Sequence, residues 1–259
     1  MSGFNMKEAM GLGTESIDQS VLGMPFIQIV QKGSPEFDET HKDYAKKKIE
    51  GCKPGSVFFV PARAVLAQPI TAIPLAVRPL YTEWKPRGQG GGFVGNRELT
   101  VTTDRNYKKG APNTPDEYKE WLGENELKLT IYVSVKFLMG TEWKRGIISF
   151  SATQLKAGRL WQKQLLTLRY PDMPDEVPPI FASQWKLTSK AESNDKGGWY
   201  GWDINLDRLL DPGTDQALLE DSFKLFREEQ AKLGSSAPAE ALTAGSSSRP
   251  AKDDGDVPF

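Results

Sequence analysis

The segment from Lys128 to Leu138 alternates apolar and polar side chains with a period of two. Its odd positions carry Leu, Ile, Val, Val and Phe, and its even positions include Lys128, Tyr132 and Lys136. This alternation predicts a β-strand with one face on a core and one face toward water. Trp143–Ser151 follows as its hairpin partner, joined by a turn at residues 140–142.

Other segments place this hairpin in a larger β-rich body. Prolines at positions 61, 69, 74 and 79 interrupt two segments rich in strand-forming residues, which favours edges, bulges or bends over a flat ladder. A helical spacing of apolar residues separates the hairpin from a second predicted strand pair. This order predicts a mainly β, OB-fold-like barrel with a helix between its third and fourth strands. Besides the hairpin, the predicted strands are Phe26–Val30, Ser56–Leu66, Ile70–Trp84, Glu98–Thr103, Phe181–Ser189 and Trp199–Leu206. The predicted helices are Lys42–Glu50, Pro115–Leu122 and Thr153–Leu168.

The C-terminal part of the chain changes character. Asp215–Leu233 predicts a helix that Thr214 or Asp215 caps and that Gly234 ends. Residues 235–252 are rich in Ser, Ala and Pro, which predicts a flexible linker. The expected division is an N-terminal arm or extension at 1–40, an OB-fold-like domain at 41–212, a helix at 213–234, the linker, and an acidic tail at 253–259.

Charge is segregated along the 259 residues, although the formal net charge is only -1. Lys42–Lys109 contains thirteen basic and five acidic residues, and Lys128–Arg169 contains eight basic residues and one acidic residue. The acidic residues gather elsewhere, including the segment after Asp203 and the tail. This distribution predicts a basic face on the body and acidic elements beside it.

Several function classes find no support. A single cysteine, Cys52, and a single histidine, His41, make neither a disulfide nor a conventional zinc site. No P-loop, dinucleotide fingerprint or nucleophile elbow is present, and Asp203 with Asp207 is a poor metal pair. We therefore expect no enzyme activity and no cofactor. The chain carries no apolar run of membrane-spanning length and no signal-peptide pattern, which favours a reducing cytoplasm.

The polar face of the predicted hairpin is the first candidate site. Cations flanking an aromatic ring suit single-stranded nucleic acid, because bases stack on the ring while the cations meet phosphates. The alternative is an ordinary amphipathic strand with solvated lysines. The candidates are Lys128, Tyr132, Lys136, Trp143 and Arg145.

A second set surrounds the glycine-rich segment Arg87–Arg97, which predicts a mobile loop able to fold over a DNA strand. The alternative is a disordered hairpin loop without a role. The candidates here are Trp84, Lys85, Arg87, Phe93 and Arg97, then Arg105, Tyr107, Lys108 and Lys109, and the separate Trp199, whose parity predicts a surface position. Trp161, Trp185 and Trp202 are expected in the core.

The last seven residues form a compact motif. Asp253, Asp254 and Asp256 precede Val257, Pro258 and Phe259. This tail resembles the C-terminal peptide of bacterial single-stranded DNA-binding proteins, an acidic stretch closing in Ile-Pro-Phe. Here Val257 stands in place of Ile, and Gly255 interrupts the acidic run. The alternative is an acidic end that only aids solubility.

The body does not align with that bacterial family and looks more like the replication single-stranded DNA-binding proteins of bacteriophages. The resemblance implies sequence-tolerant binding of single strands in replication, recombination or repair. It also implies that the tail recruits a polymerase, helicase, primase or nuclease and competes with DNA for the basic groove. Two rivals stay open: an adaptor that mimics the host tail to modulate replication or transcription proteins without binding DNA, and a strand-annealing recombination protein.

Overall fold

The computed structural model describes residues 25–85, 92–98, 126–195 and 197–234. A small antiparallel sheet opens this part of the chain, in the order β1 (Ile27–Ile29), β2 (Val57–Phe59) and β3 (Ala64–Leu66). The chain turns between β2 and β3, where Arg63 adopts a positive φ of 49°. The predicted segment Ser56–Leu66 is therefore a hairpin of two short strands, with Pro61 in its turn, rather than one strand.

The large sheet has six strands, and its main path runs β7-β6-β4-β8-β9 with β5 paired to β4. Of the two prolines in β4, Pro74 lies at a shift of the register against β6, between Pro74 and Ala76, whereas Pro79 lies in regular register opposite Ile131. The strands are β4 (Ile70–Lys85), β5 (Gly92–Glu98), β6 (Glu126–Met139), β7 (Glu142–Ser151), β8 (Ser183–Asn194) and β9 (Gly197–Leu209).

The strand β5 corrects the prediction that the whole of Arg87–Arg97 is a loop. Residues 92–97 belong to a strand that pairs antiparallel with the end of β4, with Trp84 opposite Phe93 and Tyr81 opposite Arg97. The register of this pair shifts between Glu83 and Trp84, which leaves Val94 as an extra residue of β5. The predicted strand Glu98–Thr103 contributes only its first residue to β5, and its remainder lies outside the described residues, as does the predicted helix Pro115–Leu122.

Three α-helices accompany the sheets in the described ranges: α1 (Tyr44–Lys47), α2 (Leu155–Thr167) and α3 (Gln216–Gly234). Helix α2 lies between β7 and β8, so it separates the third and fourth strands of the path β4, β6, β7, β8, β9. The predicted class, mainly β with a few helices and a C-terminal helix, is confirmed. The predicted hairpin of β6 and β7 is also confirmed, with Gly140 at a φ of +64° in its turn.

No strand pair joins β7 to β9 within the described ranges, and β1 lies in the gap between them. Phe26 bridges to Ile147 of β7, and the Gln31 amide exchanges two hydrogen bonds of 2.8 Å with the backbone of Tyr200 in β9. The Gln154 amide also donates to the Tyr200 carbonyl at 2.7 Å. The arrangement is a partly open barrel whose seam is closed by one short strand and two side-chain amides.

The inner face of the curved sheet holds the main core. Trp161 and Leu165 of α2 pack with Trp185 of β8, and all three are buried. Gly158 permits this docking, because a Cβ there would lie 2.8 Å from the side chain of Phe150. The predicted core positions Trp161, Trp185 and Trp202 are confirmed. Ile27 and Ile29 of β1 join the same core, so residues 27–29 are integral to the body.

Candidate nucleic-acid interface

The outer face of β6 and β7 collects the candidates of the predicted hairpin. Lys136 lies opposite Arg145, and Leu138 lies opposite Trp143. Directly paired residues of an antiparallel sheet project from the same face. Tyr132 follows on that face two pairs further along β6. We call Tyr132, Ser134, Lys136, Trp143 and Arg145 the outer face.

Helix α3 covers part of this outer face. The Lys136 ammonium forms an ion pair with Asp221 of α3 and lies 5.1 Å from the centre of the Trp143 ring. Lys136 is consequently only 3% exposed. The prediction that every even position of this strand faces water is therefore wrong at Lys136, because a distant helix packs over it. It is also wrong at Thr130, which is buried with its hydroxyl 3.3 Å from that of Thr82.

Arg145 is held by two carboxylates of the same helix. Its Nη1 donates to Glu228 at 2.8 Å, and its Nη2 donates to Glu229. The second oxygen of Glu229 accepts a hydrogen bond of 3.1 Å from Ser134 on β6. The last turns of α3 thus present two carboxylates to one guanidinium and one hydroxyl, an arrangement that we call the acidic clasp.

Tyr132 lies at the side of the outer face where β1 begins. Its ring centre is 6.4 Å from that of Phe26, and the side chain is half-buried. Burial raises the pKa of Tyr132 to about 12, so the hydroxyl stays neutral at physiological pH. The residue offers an uncharged aromatic surface that Phe26 partly covers.

The first half of α3 is anchored differently from its end. Phe223 and Phe226 place their ring centres 5.6 Å and 5.2 Å from that of Phe181, which precedes β8. Ser222, between these contacts and Asp221, is fully buried. Apolar packing around Phe181 and the Lys136–Asp221 ion pair therefore fix the helix from Asp221 to Phe226, while the acidic clasp holds its last turns.

Trp84, Lys85 and Lys128 lie where β4 and β6 pair near the end of β4. Thr82 is opposite Lys128 and donates its hydroxyl proton to the Lys128 carbonyl at 2.9 Å, and the Trp84 indole donates to Thr82 at 3.0 Å. Lys128 lies on the same face as Tyr132, because the two residues are four positions apart along β6. Thr82 of β4 lies on this face as well, because it is paired directly with Lys128. Trp84 is half-buried, and Lys85 and Lys128 are exposed.

Trp199 stands apart from the outer face, on a strand that pairs with neither β6 nor β7. It is half-buried, and its indole donates to Glu192 at 2.9 Å. With Lys32 and Tyr200 it lines a shallow pocket of about 220 Å³. The Glu192 carboxylate beside the ring disfavours phosphate binding there. The role of Trp199 in DNA binding stays a prediction.

A family model for Pam3 phage gp34-like proteins matches residues 2–232. The chain belongs to the Pam3 phage gp34-like family. The family indicates a bacteriophage protein, and the match covers the described body and nearly all of α3. No curated protein and no solved structure matches the chain.

Two features are absent from the part of this phage protein that the structure describes. None of its described helices combines the length and apolarity needed to cross a membrane. Among the described side chains, no group of three or more His, Cys, Asp and Glu residues is placed to hold a metal ion.

Several predicted site residues lie outside the described residues. These are Arg87, Arg105, Tyr107, Lys108 and Lys109, together with Asp253, Asp254, Asp256, Val257, Pro258 and Phe259. Phe93 and Arg97 lie on the strand β5.

Sequence reasoning missed the acidic side chains of α3 that contact the outer face. Asp221 and Glu228 are seven residues apart, two helical turns, so they share one side of the helix with Glu229. The spacing of these acidic residues indicates a helix side that can pack on a basic surface.

Proposed function

We propose that this phage protein binds single-stranded DNA without regard to sequence and protects it in replication, recombination or repair. The supporting observation is the position of the outer face. It lies on the second and third strands of an OB-fold-like path, and that face of OB folds commonly binds oligonucleotides. It brings two cations, Lys136 and Arg145, together with the rings of Tyr132 and Trp143.

The chemistry of these side chains suits a single strand. Arg145 already holds carboxylate oxygens in a forked geometry that phosphate oxygens also satisfy. Trp143 and Tyr132 supply aromatic surface, and base stacking on such rings tolerates any sequence. The proposal requires no metal and no catalytic group, and it places the protein in the cytoplasm of the bacterial host.

A titration of tryptophan fluorescence with a mixed-sequence oligonucleotide tests this proposal. We expect quenching with an affinity that falls steeply as salt rises, because bound phosphates release counterions. The absence of both quenching and binding at low ionic strength would refute DNA binding.

Two charge reversals locate the site. Arg145→Glu should weaken binding by at least about tenfold at low salt, since it replaces a phosphate contact with a repulsive charge. Lys163→Glu makes the same change of net charge at an exposed position of α2 and should weaken binding much less. Equal effects of the two variants would show that the DNA-binding site is not on the outer face.

We further propose that the acidic segment 253–259 recruits replication or recombination proteins, such as a polymerase, helicase, primase or nuclease. Its Asp residues and its Val-Pro-Phe sequence support this role through the resemblance given above. Deleting these residues should abolish capture of such partners while DNA binding is kept or strengthened. Undiminished capture by the deletion variant would contradict the proposal.

One observation favours the rival adaptor. The outer face is occupied by the carboxylates of α3, so the cations already have protein partners. An adaptor without DNA binding would use them only to dock this helix. The same fluorescence titration separates the two functions, because the adaptor predicts no binding even at low salt.

A further inference from the structure

We infer that α3 is a removable acidic cover of the single-stranded DNA site, and that its last turns leave the outer face when DNA binds. This inference rests on the proposed function. Glu228 and Glu229 sit on Arg145 and Ser134, where the proposed function places DNA. DNA and the acidic clasp therefore cannot use Arg145 at the same time.

The two halves of α3 differ in a way that allows partial release. Phe223 and Phe226 pack with Phe181, and Ser222 is fully buried beside them. The contacts that the structure describes for Glu228 and Glu229 are ion pairs and hydrogen bonds, and among the side chains described up to Ala231 no ring contact lies beyond Arg227. The helix can therefore stay anchored at residues 221–226 while residues 228–234 detach, as expected of a locally less stable segment.

The strength of the clasp also fits a reversible contact. The Arg145 side chain is 35% exposed and that of Glu228 is 41% exposed. Partly exposed ion pairs contribute little and are screened by salt. A DNA strand offers several phosphates joined in one chain, so its many contacts compete with two carboxylates. Binding of DNA then shifts the equilibrium toward the state in which residues 228–234 are released, because only that state frees Arg145 and Ser134 for DNA.

Neutralising the clasp gives the first test. Glu228→Gln/Glu229→Gln should tighten oligonucleotide binding about three- to tenfold at low salt, since the competing charges are gone. Glu176→Gln/Glu220→Gln removes two carboxylates from exposed positions without touching the outer face. This matched control should tighten binding by less than about twofold, because only long-range charge changes.

Tethering the helix gives the decisive test. Ser134→Cys/Glu229→Cys in a Cys52→Ala background joins β6 to α3 through a short bifunctional thiol reagent, at a pair of side chains now in contact. Binding by the tethered protein should fall at least about tenfold relative to the same variant before tethering. Each of the two single-cysteine variants should bind DNA equally tightly before and after treatment with the same reagent.

The outcomes separate this inference from the proposed function. Equal DNA binding before and after tethering overturns the cover and leaves DNA binding standing. Failure of the wild-type protein to bind any oligonucleotide at low salt overturns both. Loss of binding on tethering, together with tighter binding by the Glu228→Gln/Glu229→Gln variant alone, supports a cover that DNA displaces.

Discussion

Helices α2 and α3 both pack on the large sheet, α2 through buried apolar side chains and α3 through both apolar and ionic contacts. Helix α2 inserts Trp161 and Leu165 into the inner core, where both are buried. Helix α3 places Asp221, Glu228 and Glu229 on the cations of the outer face. Burial of apolar surface is insensitive to moderate salt, while exposed ion pairs are screened by it. Helix α2, the inner cover, is therefore a permanent part of the fold, and in helix α3, the outer cover, the last turns are adjustable.

Removing the central side chain of the inner cover should have the largest effect on stability. Trp161→Ala should lower the free energy of unfolding by about 3–5 kcal/mol, because it leaves a cavity between Phe150 and Trp185. Urea unfolding followed by circular dichroism measures the change, which should be the same in low and high salt. A loss below about 1 kcal/mol would mean that α2 is not a core element.

A smaller loss is expected from the apolar anchor of the outer cover. Phe226→Ala should destabilise the protein by about 1–2 kcal/mol, since this half-buried ring loses its contact with Phe181. Amide exchange should then speed up along α3 but not along α2. Phe223→Ala, at the more exposed ring, is the matched control and should cost less. Uniform exchange along both helices would contradict separate anchoring.

Acid should weaken the start of the outer cover. Hydrogen bonds from Arg208 and from the backbone N–H of Asp211 lower the pKa of Asp215 to about 2 from its ordinary value of 3.8. A lowered folded-state pKa stabilises the protein above about pH 4, and this stabilisation is lost as pH falls toward 2. Asp215→Asn should thus cost about 1 kcal/mol at neutral pH, discounted for solvent screening, and progressively less between pH 4 and 2.

Unfolding curves of Asp215→Asn and of the control Asp175→Asn across that pH range check this prediction. Asp175 is exposed, and its replacement by Asn removes the same charge at another position of the chain. A constant difference between wild type and Asp215→Asn from pH 4 to pH 2 would exclude the proposed linkage.

The acidic clasp should contribute least to stability. Glu228→Gln/Glu229→Gln should lower the free energy of unfolding by at most about 1 kcal/mol, and the difference should vanish near 1 M salt. The urea midpoints of this variant and of Trp161→Ala should be compared at low salt and near 1 M salt. Only the midpoint difference of the clasp variant should depend on salt. A large, salt-independent loss from the clasp variant would show that α3 is as permanent as α2.

Local patterns predicted much of the fold, because alternation and helical spacing act over a few residues. Strand β6 was expected at Lys128–Leu138 and spans Glu126–Met139, and α2 was expected at Thr153–Leu168 and spans Leu155–Thr167. The same patterns did not reveal the irregularity between β8 and β9, where the register shifts between Gln184 and Trp185, because a bulge leaves no clear local signature.

The candidate site was predicted only in part, because its state depends on contacts between distant residues. The pattern placed Lys136, Trp143 and Arg145 on one face, and the structure confirms that placement. It could not reveal the cover, since Lys136 and Asp221 are 85 residues apart in the chain. Periodicity shows which side of a strand is polar, but not whether water or another element meets it.

The seam of the barrel has a consequence for association between chains. The carbonyl of Tyr200 accepts from both Gln31 and Gln154, and the N–H groups of Tyr200 and Trp202 donate to the same two amides. An unpaired strand edge is a template on which another chain can add a strand. Here the edge of β9 is already saturated by side chains at its middle, so this strand is protected against edge-to-edge aggregation.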